Sequence, residues 1–174
     1  MKRVAIAAAV LLLAGCSSPS EKVAGQVVSC ESISSSTTKN SLFLDCLDGG
    51  VGATIDSIKG PAIINVWGSW CGPCKEEMPI LRSFYEKAQG KVLLIGVDVE
   101  EASLEDGRKF VENNGITWPN PFDADGKSRA YFGMGVPVTW FIASDGSVSY
   151  KHIGVLKNEI DLISLTSKYL GVKL

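Results

Sequence analysis

The stretch Ala62-Ile63-Ile64-Asn65-Val66-Trp67-Gly68-Ser69-Trp70-Cys71-Gly72-Pro73-Cys74-Lys75-Glu76-Glu77-Met78-Pro79 decides how the rest of this chain is read. Ala62 to Trp67 is a nearly continuous apolar run, which suits the centre of a sheet covered on both faces. Gly68-Ser69 turns the chain, and a helix is expected from near Cys71 to Gln89, with Gly90 as its stop. Cys74, Met78, Leu81, Tyr85 and Ala88 recur at helical spacing, with Phe84 beside them. Pro79 lies inside this helix and should kink it by removing one backbone hydrogen bond. Cysteines at this spacing on a helix start place the first thiol in solvent and the second one turn inward. The unpaired N–H groups and positive end of the helix stabilise a thiolate at Cys71. Such a thiolate both attacks disulfides and leaves them readily. Pro73 lacks an N–H, which costs little in a first helical turn.

A C-x-x-C pair can also be half of a zinc site. Here there is no second C-x-x-C, His152 is the lone histidine, and Cys30 and Cys46 are irregularly spaced. The redox reading is therefore preferred over structural zinc and over an inert bridge. No metal, nucleotide or flavin site is apparent, and no cofactor is expected. His152 reads as a strand residue without chemistry.

Working outward, strands and helices alternate. Leu42 to Leu47 reads as a short strand and Asp48-Gly49-Gly50 as a turn. Ala53 to Ile58 either pairs locally or turns, and Lys59-Gly60-Pro61 breaks it. Lys91 to Val97 is a second central strand, and Ser103 with Asp106 resembles a capping box that opens a helix ending around Asn113-Asn114-Gly115. Val138 to Ile142 and Ser147 to Ile153 form a hairpin across Ser144-Asp145-Gly146. Glu159 to Leu170 closes the chain as an amphipathic helix. The expectation is an α/β fold with a central mixed sheet flanked by helices.

The run NVWGSWCGPCKEEMP (65–79) and the later Gly135-Val136-Pro137-Val138-Thr139 resemble the thioredoxin superfamily over residues 41–172. The likeness is to the extracytoplasmic TlpA/ResA/CcmG-like branch and to actinobacterial DsbE-like proteins. The resemblance implies a thioredoxin fold with an N-terminal extension, a cis peptide before Pro137, and Val136 offering backbone hydrogen bonds to a bound peptide. It implies Cys71 as nucleophile and Cys74 as resolving cysteine, with Trp70, Gly72 and Pro73 completing the redox motif. Cytoplasmic thioredoxins carry a buried Asp where Asn65 stands, and an amide cannot take that proton. The reductases of the branch place a Glu where Glu77 stands. Buried, Glu77 would manage protons near Cys74; the other reading is a solvated Glu beside Glu76. Trp70 reads as an exposed lip, and Trp67 and Trp140 as core. Trp118, in a loop that lies near the sulfur site in this superfamily, either touches substrate or packs.

The N-terminus is read separately. Lys2 and Arg3 precede an apolar run, Val4 to Ala14, too short to span a membrane and laid out as an export signal. Leu13-Ala14-Gly15-Cys16 resembles the bacterial lipobox, which implies cleavage before Cys16 and its acylation with fatty acids such as palmitate. The alternative is a plain secretory signal. The resulting organisation is a signal peptide over 1–15, a lipid-attached tether over 16–40 and a thioredoxin-like domain over 41–174. The domain would then sit on the extracytoplasmic side of the cell membrane, a place where disulfides persist. Setting Cys16 aside leaves four cysteines; Cys71 and Cys74 form the natural local pair, which leaves Cys30 with Cys46 as a second bridge or as two buried thiols.

The whole chain carries 17 Lys and Arg against 19 Asp and Glu, without a basic stripe, which argues against nucleic acid. The expected partners are exported proteins with thiols or disulfides, a membrane redox partner that resets the pair, and the bilayer reached through Cys16. A monomer is expected. Three functions remain open: general disulfide exchange biased to oxidation, a reductase for specific disulfides such as those of apocytochrome c, and a non-catalytic adaptor.

Overall fold

The computed structural model describes residues 24–33 and 41–174. Cys16, the export signal and the greater part of the tether lie outside these residues. Seven strands make one mixed sheet: β1 (Phe43–Cys46), β2 (Ala53–Thr54), β3 (Ala62–Trp67), β4 (Leu93–Val99), β5 (Pro121–Asp123), β6 (Val138–Ile142) and β7 (Val148–Ile153). Their order across the sheet is β2-β1-β5-β4-β3-β6-β7. β3 pairs parallel with β4 and antiparallel with β6, so the redox motif leaves from the centre of the sheet. The helices are α1 (Gly72–Ala88), α2 (Leu104–Asn113), the single turn α3 (Arg129–Phe132) and α4 (Glu159–Leu170). The fold class is as expected from the alternating pattern.

Strand alternation divides the core in two. Ile63 and Trp67 of β3 join Met78, Leu81 and Phe84 of α1, Phe110 and Val111 of α2 and Leu162 of α4 on one face. Ile64 and Val66 join Ile95, Val97 and Val99 of β4 with Phe132 and Trp140 on the other. The period-2 pattern thus gives both faces an apolar cover, as a central strand requires. α1 runs unbroken through Pro79 and ends at Gln89, whose left-handed backbone (φ 46°) closes the last turn. At α2, Ser103 caps as its sequence suggests, its Oγ accepting from the Asp106 N–H.

β5, α3 and the placement of residues 24–33 depart from the sequence pattern, and the Cys30–Cys46 bridge agrees with it. β5 and α3 are too short to carry a periodic signal, yet β5 bridges β1 and β4. The segment 24–33, placed in the tether on sequence, already lies on the domain: Gly25 and Gln26 donate to the carbonyls of Glu112 and Ile116 (both 2.8 Å). Cys30 and Cys46 form a disulfide, S–S 1.98 Å, that fastens this segment to β1.

Candidate active site

β3 ends at Trp67, and Gly68 to Trp70 carry the chain into α1. Cys71 is the N-cap of α1, and the Cys71 N–H donates to the Gly68 carbonyl (3.0 Å), which closes the turn. Cys71 and Cys74 are joined by a disulfide, S–S 2.07 Å. The Cys74 N–H points at Cys71 Sγ, 3.1 Å away, so an orphan amide of the helix start is spent on sulfur. In the reduced protein the same amide and the helix end favour a thiolate on Cys71. The sequence expectation of a solvent-exposed Cys71 is corrected. The residue is only 4% exposed, because Trp67, Met78 and the rest of the α1-side core pack up to it. Gly72, Pro73 and Trp70 form the exposed surface around it, with Trp70 at 55%. The Trp70 indole is held in place by donation from Nε1 to the Val99 carbonyl (3.2 Å).

Beneath the disulfide, Glu77 lies three residues beyond Cys74 and is fully buried. Positions three apart share a helix face, so both point inward. Asn65 Nδ2 donates to Glu77 Oε1 (2.7 Å) and the Leu156 N–H donates to Oε2 (3.0 Å). Burial pushes the Glu77 carboxyl up from 4.5 to about 7, while those two donors pull it down. Asn65, on β3, also donates to Thr139 Oγ1 of β6 (3.1 Å). The solvated alternative for Glu77 is thereby removed.

Val136-Pro137 is a cis peptide, and Gly60-Pro61 is a second one not anticipated from sequence. Val136 lines a cleft beside the redox turn with Val66, Trp70, Val99, Phe132 and Met134; the Glu100–Arg129 ion pair stands at the same cleft. Trp118 is not part of it. This residue is 1% exposed and packs against Tyr85, ring centroids 5.3 Å apart, so the substrate-contact expectation for it is corrected. A loop tryptophan between two apolar layers gains more by burial than by projecting. Trp67 is core as expected, its Nε1 donating to Asn120 Oδ1 (3.2 Å). Gly96 makes room for that pair, since a Cβ there would stand 2.0 Å from Asn120 Oδ1.

Sequence reasoning missed a second group of polar residues on the other side of the turn. Ser69 donates its N–H and its hydroxyl to Glu101, the latter over 2.5 Å. Behind Glu101 lies Asp98 of β4, fully buried, whose carboxyl is pushed up to about 10, mainly by burial and then by Glu101. The signal was present: an acid inside the apolar strand Leu93 to Val99 must be partnered or protonated. No group of His, Cys, Asp and Glu suited to a metal ion occurs among the described residues.

A mixed sheet with a bonded C-x-x-C at the start of α1 and a cis-proline loop next to it defines a thioredoxin-like protein. Three comparisons agree. The AhpC/TSA family model matches residues 44–151, and the chain belongs to that family. Thiol-disulfide oxidoreductase ResA of Bacillus thuringiensis (strain Al Hakam) is 33% identical over 103 residues, which make up 58% of this chain and 59% of that protein. Among solved structures, a secreted Mycobacterium tuberculosis disulfide oxidoreductase homologous to E. coli DsbE superposes with a TM-score of 0.64 at 22% identity, over 74% of this chain and 96% of that one. A DsbF homologue from Corynebacterium diphtheriae gives 0.63 at 23% identity, over 87% and 96%. At these identities the structural likenesses speak for the fold.

Proposed function

We propose that this protein is an extracytoplasmic thiol–disulfide oxidoreductase that exchanges disulfides with exported proteins and favours oxidation. The observation that carries this reading is the Cys71–Cys74 bridge at the N-terminus of α1, with the Cys74 amide on Cys71 Sγ. In the oxidising direction a substrate thiolate attacks Cys71 Sγ, forming a mixed disulfide and expelling Cys74 as a thiolate. Glu77 supplies the proton that Cys74 takes up. A second substrate thiolate then attacks the substrate sulfur of the mixed disulfide, and Cys71 leaves as the stabilised thiolate. The substrate leaves with a disulfide and the protein is left reduced, Cys71 as thiolate and Cys74 as thiol, and a membrane redox partner re-oxidises the pair. Trp70, Val136 and Pro137 border the path by which a substrate chain reaches Cys71, and the cleft beside them takes its apolar side chains.

Export and anchoring through an acylated Cys16 complete the reading. Their support is the layout of residues 1–16. A second reading runs the same steps backward as a reductase of specific protein disulfides, apocytochrome c among them. Its support is Glu77, whose carboxyl near neutrality can take the Cys74 proton and raise the thiolate that resolves the mixed disulfide.

Trapping tests the site. Cys74→Ser should accumulate mixed disulfides with exported proteins and Cys71→Ser should not; equal trapping by both would void the assignment of roles. The equilibrium potential against glutathione tests direction. A value toward about −120 mV supports the oxidant, and one near about −270 mV supports the reductase.

A further inference from the structure

Asp98 has an unusual environment for a carboxyl group. It is fully buried, and neither of its oxygens receives an N–H or O–H from any described residue. α2 crosses directly over it: a Cβ on Gly107 would stand 2.0 Å from Asp98 Oδ2, so bare backbone is all that fits. Trp67 and Phe122 flank Asp98 in the sheet, and Leu47 packs against the same glycine. The charged group that acts on Asp98 is Glu101, with which its carboxyl is in hydrogen-bonding contact. Glu101 is half-buried and already accepts both donors of Ser69, two residues before Cys71.

Two carboxylates in such contact cannot both stay ionised in a buried site. Glu101 has donors to hold a negative charge and Asp98 has none, so the proton belongs to Asp98. We propose that Asp98 is a positioning residue for the redox centre: a neutral carboxylic acid that donates its O–H to Glu101, which in turn clamps Ser69 and fixes the turn that presents Cys71. The assignment rests on Cys71 being the attacking sulfur. A dedicated donor is needed because Glu101 alone, half in solvent, would exchange Ser69 for water. The pair reaches the redox turn from the end of β4 and the loop that follows it.

Three variants of the full exported domain test it: Asp98→Asn, Asp98→Leu and Glu101→Gln. Asn keeps the shape and a donor toward Glu101, whereas Leu keeps the bulk and removes the donor. Three readouts are taken: the infrared difference between wild type and Asp98→Asn at about pH 8, hydrogen exchange of the Ser69 amide, and the rate of the reduced protein with insulin disulfides at the plateau of its pH profile. The expected results are a protonated-carboxyl C=O band in the difference spectrum and wild-type exchange and rate, within about twofold, for Asp98→Asn. For Asp98→Leu and Glu101→Gln, Ser69 exchange should accelerate and the rate fall, each about tenfold, the worth of one buried hydrogen bond. A missing band overturns the proposal, as does an Asp98→Asn variant as impaired as Asp98→Leu, which would make the carboxyl a proton acceptor. Should Asp98→Leu fail to fold, wild-type behaviour of Glu101→Gln overturns it equally. Failure of the underlying reading is distinct: wild-type protein would then not react with insulin at all, whatever the infrared band.

Discussion

Replacing Glu77 by Gln asks whether the carboxyl beneath Cys74 holds a proton near neutrality. Glu77 is fully buried, and its carboxyl is raised from 4.5 to about 7. A raised carboxyl pKa means that the folded state binds the proton more tightly than the unfolded chain. The stability it contributes is therefore complete below about pH 4.5 and is lost as pH climbs through about 7. At about 1.36 kcal/mol per pH unit this amounts to about 3 kcal/mol, of which roughly 2.5 kcal/mol falls between pH 5 and pH 8. Gln cannot titrate. Urea unfolding of the oxidised proteins should then give a Glu77→Gln stability curve flatter than wild type by about 2.5 kcal/mol across that window. The difference between the proteins is the informative quantity, because Asp98, also raised, tilts both curves in the same sense. The amide must turn one N–H toward Asn65 Nδ2 or the Leu156 N–H, so the variant should start lower at pH 5 by about 1–3 kcal/mol. That offset does not alter the slope. Parallel curves for the two proteins would refute the reasoning.

Two other variants probe the frame of the site. Removing the outer bridge with Cys30→Ala and Cys46→Ala, 16 residues apart, should cost about 3 kcal/mol in denaturant unfolding and leave the rate of Cys71 unchanged. Asn65→Asp would set a second carboxyl within hydrogen-bond reach of Glu77, in a place where both cannot ionise. Its stability should drop more steeply between pH 5 and pH 8 than that of wild type, as followed by thermal unfolding.

Long elements with strong periodicity were legible in the sequence. β3 announced itself as a two-faced apolar run, α1 by its stripe from Cys74 to Ala88, and α2 by Ser103 and Asp106. Burial of Glu77 followed from the sequence as one of two open readings. Its partner at Leu156 did not, because a backbone amide 79 positions away leaves no mark on composition. β5 and α3 span three and four residues, little more than one period of a strand or a helix and too few for a periodic signal. Burial was the weakest inference at both Cys71 and Trp118. Helix position told which way Cys71 faces, and only packing by Trp67 and Met78 decided how much of it reaches water. Asp98 was overlooked although the apolar strand around it called for an explanation, since its significance depends on Gly107, which α2 carries over it, and on Glu101 in the loop after β4.

In the proposed function, the start of α1 makes Cys71 an acidic, reactive sulfur. The rate of alkylation of Cys71 in the reduced Cys74→Ser protein, titrated against pH, measures this directly. The midpoint should lie well below the ordinary thiol value of about 8.5. A midpoint at about 8.5 or higher would contradict it.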